Sequence, residues 1–264
     1  MSLSFLHHVN WLYSLSGLGV GLLVGFTGVG GGSLMTPLLV LLFGVHPSTA
    51  VGTDLLYAGL TKISGSAVHS LHGAVDWKIV QRLACGSIPA AALTLLGLFL
   101  FGSGSQTTQH VISTTLGFAL LLTAVTLLAR RWLIARYGNL MQQASDGKIA
   151  GLTVALGAAL GVLVTISSVG AGALGVTVLI ILYPKLPAVR IVGADIAHAV
   201  PLTLIAGAGH WGMGSVDFAM LASLLIGSIP GVGIGSHYAS RVPDSVLRPL
   251  MAGTLALVGV RLAF

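Results

Sequence analysis

The chain has 264 residues, of which 55% are hydrophobic and only 7% charged. A soluble domain carries about 25% charged residues, so an ordinary soluble enzyme, a nucleic-acid binder and a disordered chain are all excluded. Twelve Lys and Arg against six acidic residues, every one an Asp, give a net charge of +6 but no basic stripe of the kind a nucleic-acid surface needs. The 37 glycines among these apolar residues point to helices packed closely in lipid, where small residues let backbones approach. The lone Cys85 cannot form an internal disulfide and reads as a buried, inert thiol. The N-terminus lacks the basic n-region of a cleavable signal peptide.

A bilayer core about 30 Å thick takes about 20 apolar residues per helix. Long apolar runs lie near 9–27, 49–68, 79–101, 109–129, 149–167, 189–209, 216–239 and 245–263, eight in all. Two shorter runs, 33–45 and 173–183, each follow a glycine-rich break, GVGGG at 28–32 and VGAG at 169–172. A short helix after such a break either crosses or turns back as one arm of a hairpin, and both alternatives leave the sidedness downstream unchanged. The expected fold class is therefore an all-α polytopic membrane protein, with eight long and two short helices.

The basic residues gather in alternate connections: Lys78 and Arg82, then Arg130, Arg131, Arg136 and Lys148, then Lys185 and Arg190, then Arg241 and Arg248. The other connections hold none, and only Arg261 lies near the C-terminus. The positive-inside rule places the four basic connections in the cytoplasm and both termini outside.

The two halves resemble each other at an offset of 141 residues. His69-x3-Gly73-x-Val75-Asp76 recurs as His210-x3-Gly214-x-Val216-Asp217, Gly86-Ser87-Ile88-Pro89 as Gly227-Ser228-Ile229-Pro230, and Gly52-x-Asp54 as Gly193-x-Asp195. The glycine breaks match at 140, with Gly30 facing Gly170 and Gly32 facing Gly172, as do Pro47 and Pro187. Each half holds five segments, or three plus a hairpin. Both numbers are odd, so the halves are expected to be inverted repeats, the plan of many secondary transporters, with a site near the midplane between them. The charges agree, since Lys78 and Arg82 have Ala219 and Ser223 as mates. The expected division is a first transmembrane repeat over 9–108, a connecting helix and cytoplasmic loop over 109–148, and a second, inverted repeat over 149–263.

Three charges lie inside apolar segments. Asp54 and Asp195 are repeat mates; each reads either as a helix cap at the interface or as a coupling or substrate group on a pathway. Lys62 is eight residues from Asp54, about 12 Å along a helix, and suits an anionic substrate or an ion pair with Asp195 across the repeats. His198 shares a helical face with Asp195 and reads as a proton relay or a satisfied core histidine; its mate is Tyr57. His69 and His210 fall where segments end and read as interfacial. The two breaks, GFTGVGGGSLMTP and TISSVGAGALGV, place Gly and hydroxyl residues between helices. Exposed N–H groups at a helix start attract anions, and non-helical backbone at membrane depth survives only in protein or beside a cavity. Thr27, Gly28, Gly30, Gly31, Gly32 and Ser33 in the first break, and Ser167, Ser168, Gly170, Ala171 and Gly172 in the second, are accordingly candidate substrate-binding residues together with Lys62. Asp54, Asp195 and His198 are the coupling candidates. No catalytic triad, nucleophile elbow, zinc signature or cofactor motif is present, so no catalytic residue, metal or cofactor is expected.

GFTGVGGGSLMTPLL, the AVGTDLL segment and the HGAVDW turn, with SVGAGALG and GADIAHAVPLT in the second half, resemble the TauE/SafE family of sulfite exporter-like permeases over about residues 12–263. The second break has Ala171 where the first has Gly31, so the two are not equivalent. The resemblance implies a secondary transporter, an exporter of small sulfur-containing anions such as sulfite or organosulfonates, in a bacterial plasma (inner) membrane, with protons as one choice of coupling ion. The alternatives are an anion channel or a permease for another small organic anion. The expected partners are the anionic substrate and the bilayer; a homo-oligomer is compatible with this reading and nucleic acid is not.

Overall fold

The computed structural model describes residues 10–27, 32–71, 75–102, 104–238 and 244–264. Among them the chain forms ten helices and no strand. In order these are α1 (Trp11–Thr27), α2 (Gly32–Phe43), α3 (Pro47–Leu71), α4 (Trp77–Phe101), α5 (Gln106–Met141), α6 (Asp146–Ser167), α7 (Ala173–Leu182), α8 (Ala188–Gly212), α9 (Phe218–Tyr238) and α10 (Asp244–Ala263). Among the described residues five helices, α4, α5, α6, α8 and α9, are long and apolar enough to cross a membrane, while α1, α2 and α7 are shorter apolar helices. Large apolar side chains such as Leu93, Phe99 and Leu128 stand exposed on the outside, as lipid rather than water requires. The protein is an all-α polytopic membrane protein.

Local chemistry sets several helix starts. Asp76 caps α4 by accepting from Lys78 N at 3.2 Å and Ile79 N at 3.4 Å, and Ser145 caps α6 through Lys148 N at 3.4 Å. Pro47 is the first residue of α3 and Pro187 the residue before α8, where a missing N–H costs nothing. The connection after residue 129 is mostly helix. α5 runs 36 residues, about 54 Å at 1.5 Å each, so Arg130, Arg131 and Arg136 continue a helix instead of lying in a loop. Trp132 and Tyr137 on that extension stack edge to face at 6.2 Å, residues suited to a membrane interface. Cys85 is not buried; it is exposed on α4.

Four helix pairings carry the architecture: α1 with α9, α4 with α6, α3 with α8, and α5 with α10. The first two are parallel and make the same contacts. A Cβ added to Gly17 of α1 would stand 3.1 Å from Leu224 Cα, and one on Gly157 of α6 would stand 3.0 Å from Leu83 Cα. Four residues on, Gly21 and Gly161 would each place it 2.9 Å from the Cα of Ser228 and of Ser87. Close approach of backbones is what glycine permits in a membrane. α3 and α8 run antiparallel. Gly52 packs against His210 and Ser215, Leu56 against Gly207, and Gly59 against Thr203 and Leu204, with Val51, Leu55, Leu202 and Ala206 fully buried around the crossing.

The two ends of the molecule differ. At one end Lys78 and Arg82 of α4 meet Asp146 at the start of α6, at 3.2 and 2.8 Å. Arg82 also donates to Tyr183 at 3.1 Å, and Arg190 pairs with Asp76 at 3.4 Å. At the other end a cavity of about 530 Å³ is lined by His46, Ser48, Gln106, Gln109, Ser215 and their neighbours, with no charged side chain. The connections α3–α4, α5–α6 and α7–α8 thus gather at the basic end, and α2–α3, α4–α5 and α8–α9 at the end that holds the cavity.

Candidate functional site

The charges that an apolar chain should exclude meet where α3 crosses α8. Asp54 is the eighth residue of α3 and Asp195 the eighth of α8, and they are 0% and 1% exposed. Neither caps its helix: both lie two turns inside. Asp54 stands eight residues before Lys62, and Asp195 eight before Thr203, the repeat mate of Lys62. Asp54 is therefore about 12 Å along α3 from Lys62, and Asp195 as far along α8 from Thr203. Lys62 is 8% exposed and interacts electrostatically with Asp195 most strongly and with Asp54 next. One buried cation is thus coupled by charge to two buried carboxylates, an arrangement whose desolvation only mutual attraction and hydrogen bonds can offset.

Each carboxylate faces the start of a short helix. Thr36 in the second turn of α2 donates its hydroxyl to Asp54 Oδ2. The Gly172 N–H, at the start of α7, points to the Asp195 carboxyl. A side chain on Gly175 would displace the Asp195 carboxyl, since its Cβ would stand 3.3 Å from Asp195 Cγ and collide with Oδ1. The helix N-terminus and the bare Gly175 give a negative charge a seat there.

The second break, 168–172, fits between these groups. α6 ends on Ser168, whose φ of 58° is left-handed and whose N–H bonds Val164 O at 2.7 Å. Among the described residues it is the one non-glycine with positive φ. Gly170 and Gly172 follow at φ 124° and 111°, values that L side chains rarely adopt, so the chain reverses into α7 within four residues. The Ser168 side chain faces the Asp54 carboxyl. Ser167 is occupied otherwise: it donates to Leu163 O at 2.6 Å and accepts from Val169 N at 3.2 Å, so its hydroxyl secures the helix end. Ala171 is half-buried between the two glycines. Of the first break, Gly28, Gly30 and Gly31 lie outside the described residues. Thr27, Gly32 and Ser33 end or begin helices, but their side chains lie outside the described set.

His198 is fully buried, and its Nε2 lies 2.7 Å from Ser87 Oγ in α4. Its repeat mate Tyr57 donates to Ser228 in α9 at 2.7 Å. Ser87 and Ser228 are themselves mates, so the same cross-helix bond occurs twice, once from a histidine and once from a tyrosine. The repeated Gly-Ser-Ile-Pro motif held this signal, although sequence reasoning gave neither serine a role. Thr36 was missed as well. His210, in the last turn of α8, is fully buried and its Nε2 donates to Thr165 O at 3.0 Å. Several buried polar atoms around the break have no hydrogen-bond partner: Asp54 Oδ1, Ser168 Oγ, Thr165 Oγ1, Asp195 Oδ1 and His198 Nδ1. Such groups are few in folded proteins and concentrate where something else binds. Among the described residues no group of three His, Cys or Asp side chains could hold a metal ion.

A family model described as sulfite exporter TauE/SafE matches residues 13–262. The chain is similar to the probable membrane transporter protein YjnA of Bacillus subtilis, 42% identical across 94% of this chain and 97% of that one. It is also similar to the probable membrane transporter protein YdhB of the same organism, 27% identical across 93% and 96%. A probable membrane transporter protein of Xylella fastidiosa is 26% identical across 86% and 83%. No solved structure matches the chain.

Proposed function

The chain belongs to the sulfite exporter TauE/SafE family, a membrane transporter by its relatives, and from that membership we propose that it is a secondary transporter, an exporter of small sulfur-containing anions such as sulfite or organosulfonates. The observation that carries this reading is Lys62, buried at the α3–α8 crossing, coupled by charge to two carboxylates and beside a broken helix. An anion seated on Lys62 would also meet the N–H groups at the start of α7. Ser167, bound to its own backbone, supplies no hydroxyl there.

Charge decides what else must bind. With both Asp54 and Asp195 ionised, the cluster with Lys62 sums to minus one and repels an anion. Added positive charge on one carboxylate removes that repulsion, so anion binding is coupled to a cation at Asp54 or Asp195, with His198 beside them.

The two halves are inverted repeats in this reading. The support is the duplicated packing: α1 on α9 matches α6 on α4, residue for residue, and Tyr57–Ser228 matches His198–Ser87. The helices of one half thus lie against those of the other, and alternating access follows from exchange of the two repeats' conformations about the α3–α8 crossing. The basic end faces the cytoplasm of a bacterial cell and the 530 Å³ cavity opens to the exterior, by the distribution of Lys and Arg.

The test is purified protein in proteoliposomes with a panel of labelled sulfite, sulfate, taurine-like sulfonates and carboxylates. Saturable counterflow of a sulfur anion is expected. Carboxylates moving while every sulfur anion stays behind would assign another substrate, and unitary currents would make the protein a channel.

A further inference from the structure

We propose that Asp54, Thr36 and Ser168 form the binding site of one sodium ion, which serves as the coupling cation if the transport reading above holds. Three observations converge on it. The first is the donor set. Asp54 is fully buried, Thr36 is fully buried and Ser168 is 6% exposed; all three offer oxygen, the ligand a hard alkali cation takes. Thr36 spends its proton on Asp54 Oδ2, which leaves lone pairs on its own oxygen. The second is the unpartnered pair. Asp54 Oδ1 and Ser168 Oγ are both buried without a well-formed hydrogen bond, although the two side chains are close enough to interact. A cation between them would satisfy both at once. The site also lies at the C-terminal end of α6, where the helix turns its last carbonyls and the negative end of its dipole toward the ligand. Broken helices supply coupling-ion ligands in this way.

The third observation comes from the repeat mates. Asp195 occupies the equivalent place, but the mate of Thr36 is Val176 and the mate of Ser168 is Gly28. Both hydroxyls are missing there. Asp195 is instead the stronger of the two electrostatic partners of Lys62 and faces the Gly172 N–H, so its charge is already answered by the protein. The two symmetric carboxylates are thereby divided: Asp195 is the fixed counter-charge of Lys62, and Asp54 takes the sodium. With sodium bound, the cluster of two carboxylates and one lysine is neutral, the condition for an anion to approach.

The experiment is equilibrium binding of ²²Na⁺ to the purified full-length protein in detergent, at constant ionic strength and pH with choline as the replacing ion. Saturable binding of one sodium per chain is expected. Thr36→Val and Ser168→Gly each replace a hydroxyl beside Asp54 with the residue its repeat mate carries, and each should weaken sodium binding about tenfold or more, the loss of one contact to a charge. Thr177→Val, a neighbouring hydroxyl bound to its own helix through Ala173 O at 2.7 Å, should bind as the wild type does. Wild-type protein that holds no sodium above the choline background overturns the proposal, as do Thr36→Val and Ser168→Gly variants that bind sodium undiminished. Sodium binding without transport of any sulfur anion would leave this site standing and remove the substrate assignment. Transport of a sulfur anion that follows the pH gradient alone, with no sodium bound, would do the reverse.

Discussion

His198 and Tyr57 do the same work at mated positions, and the comparison gives each hydrogen bond a measurable worth. Ser87→Ala leaves His198 Nε2 buried without its partner, and Ser228→Ala does the same to the Tyr57 hydroxyl. Each substitution should destabilise the protein by about 1–3 kcal/mol, the cost of a buried polar group left unpaired. Thermal unfolding in detergent should show similar losses for both, and a large loss for one beside none for the other would break the parallel. Ser167→Ala should lower stability by roughly 0.5–1.5 kcal/mol and leave anion affinity unchanged, because its hydroxyl is bound to Leu163 O and Val169 N. Weakened anion binding in that variant would return Ser167 to the site. Asp54, Lys62 and Asp195 were legible in the sequence because a charge inside an apolar run has no other explanation than a partner or a pathway. Thr36, Ser87 and Ser228 were not. A single hydroxyl in an apolar helix ordinarily bonds its own backbone, as Thr123 and Thr203 do, and only the facing helix reveals the exception.

At the scale of elements, the glycine seams hold the pairs together. Gly21 and Gly161 lie against the backbones of Ser228 and Ser87, so a larger side chain must push two helices apart. Gly21→Val and Gly161→Val should each cost about 1–3 kcal/mol, the range for overpacking. Gly19 and Gly151, where an added Cβ meets nothing within 4 Å, should accept alanine without loss, or with a small gain in helix propensity. Thermal unfolding separates the two classes, and equal effects would deny the seams their role. The element order was readable because apolar runs of membrane length admit few alternatives to a helix, and the two glycine breaks set the short helices apart. The end of α5 was not, since Arg130 and Arg131 stop the apolar run but not the helix: the residues that follow, such as Leu133, Ala135 and Leu140, are good helix formers. Cys85 was misplaced for a related reason. Apolar neighbours signal burial in water, whereas in lipid the apolar face of α4 is the outer one.

Across the whole molecule, the ion pairs and basic residues gather at one end and the uncharged cavity at the other. A cysteine replacing Gly104, which lines the cavity, should react with an impermeant maleimide added to intact spheroplasts. One replacing Gln143, in the short turn between α5 and α6, should react only after the membrane is opened. The opposite pattern would reverse the orientation and place the cavity in the cytoplasm. The salt bridges of Lys78 and Arg82 to Asp146 should matter little to stability, because Asp146 is 69% exposed and such pairs contribute about 0–1 kcal/mol. What the whole fold accomplishes is to bring Asp195 of α8, from a distant part of the chain, to Asp54 and Lys62 of α3. That meeting is the centre of the account, and counterflow of a labelled sulfur anion in proteoliposomes measures it. Wild-type protein should exchange the anion and Lys62→Ala should lose at least about tenfold in affinity for it, as removal of a charged hydrogen-bond donor implies. A Lys62→Ala variant that binds and exchanges the anion as well as the wild type would place the site elsewhere.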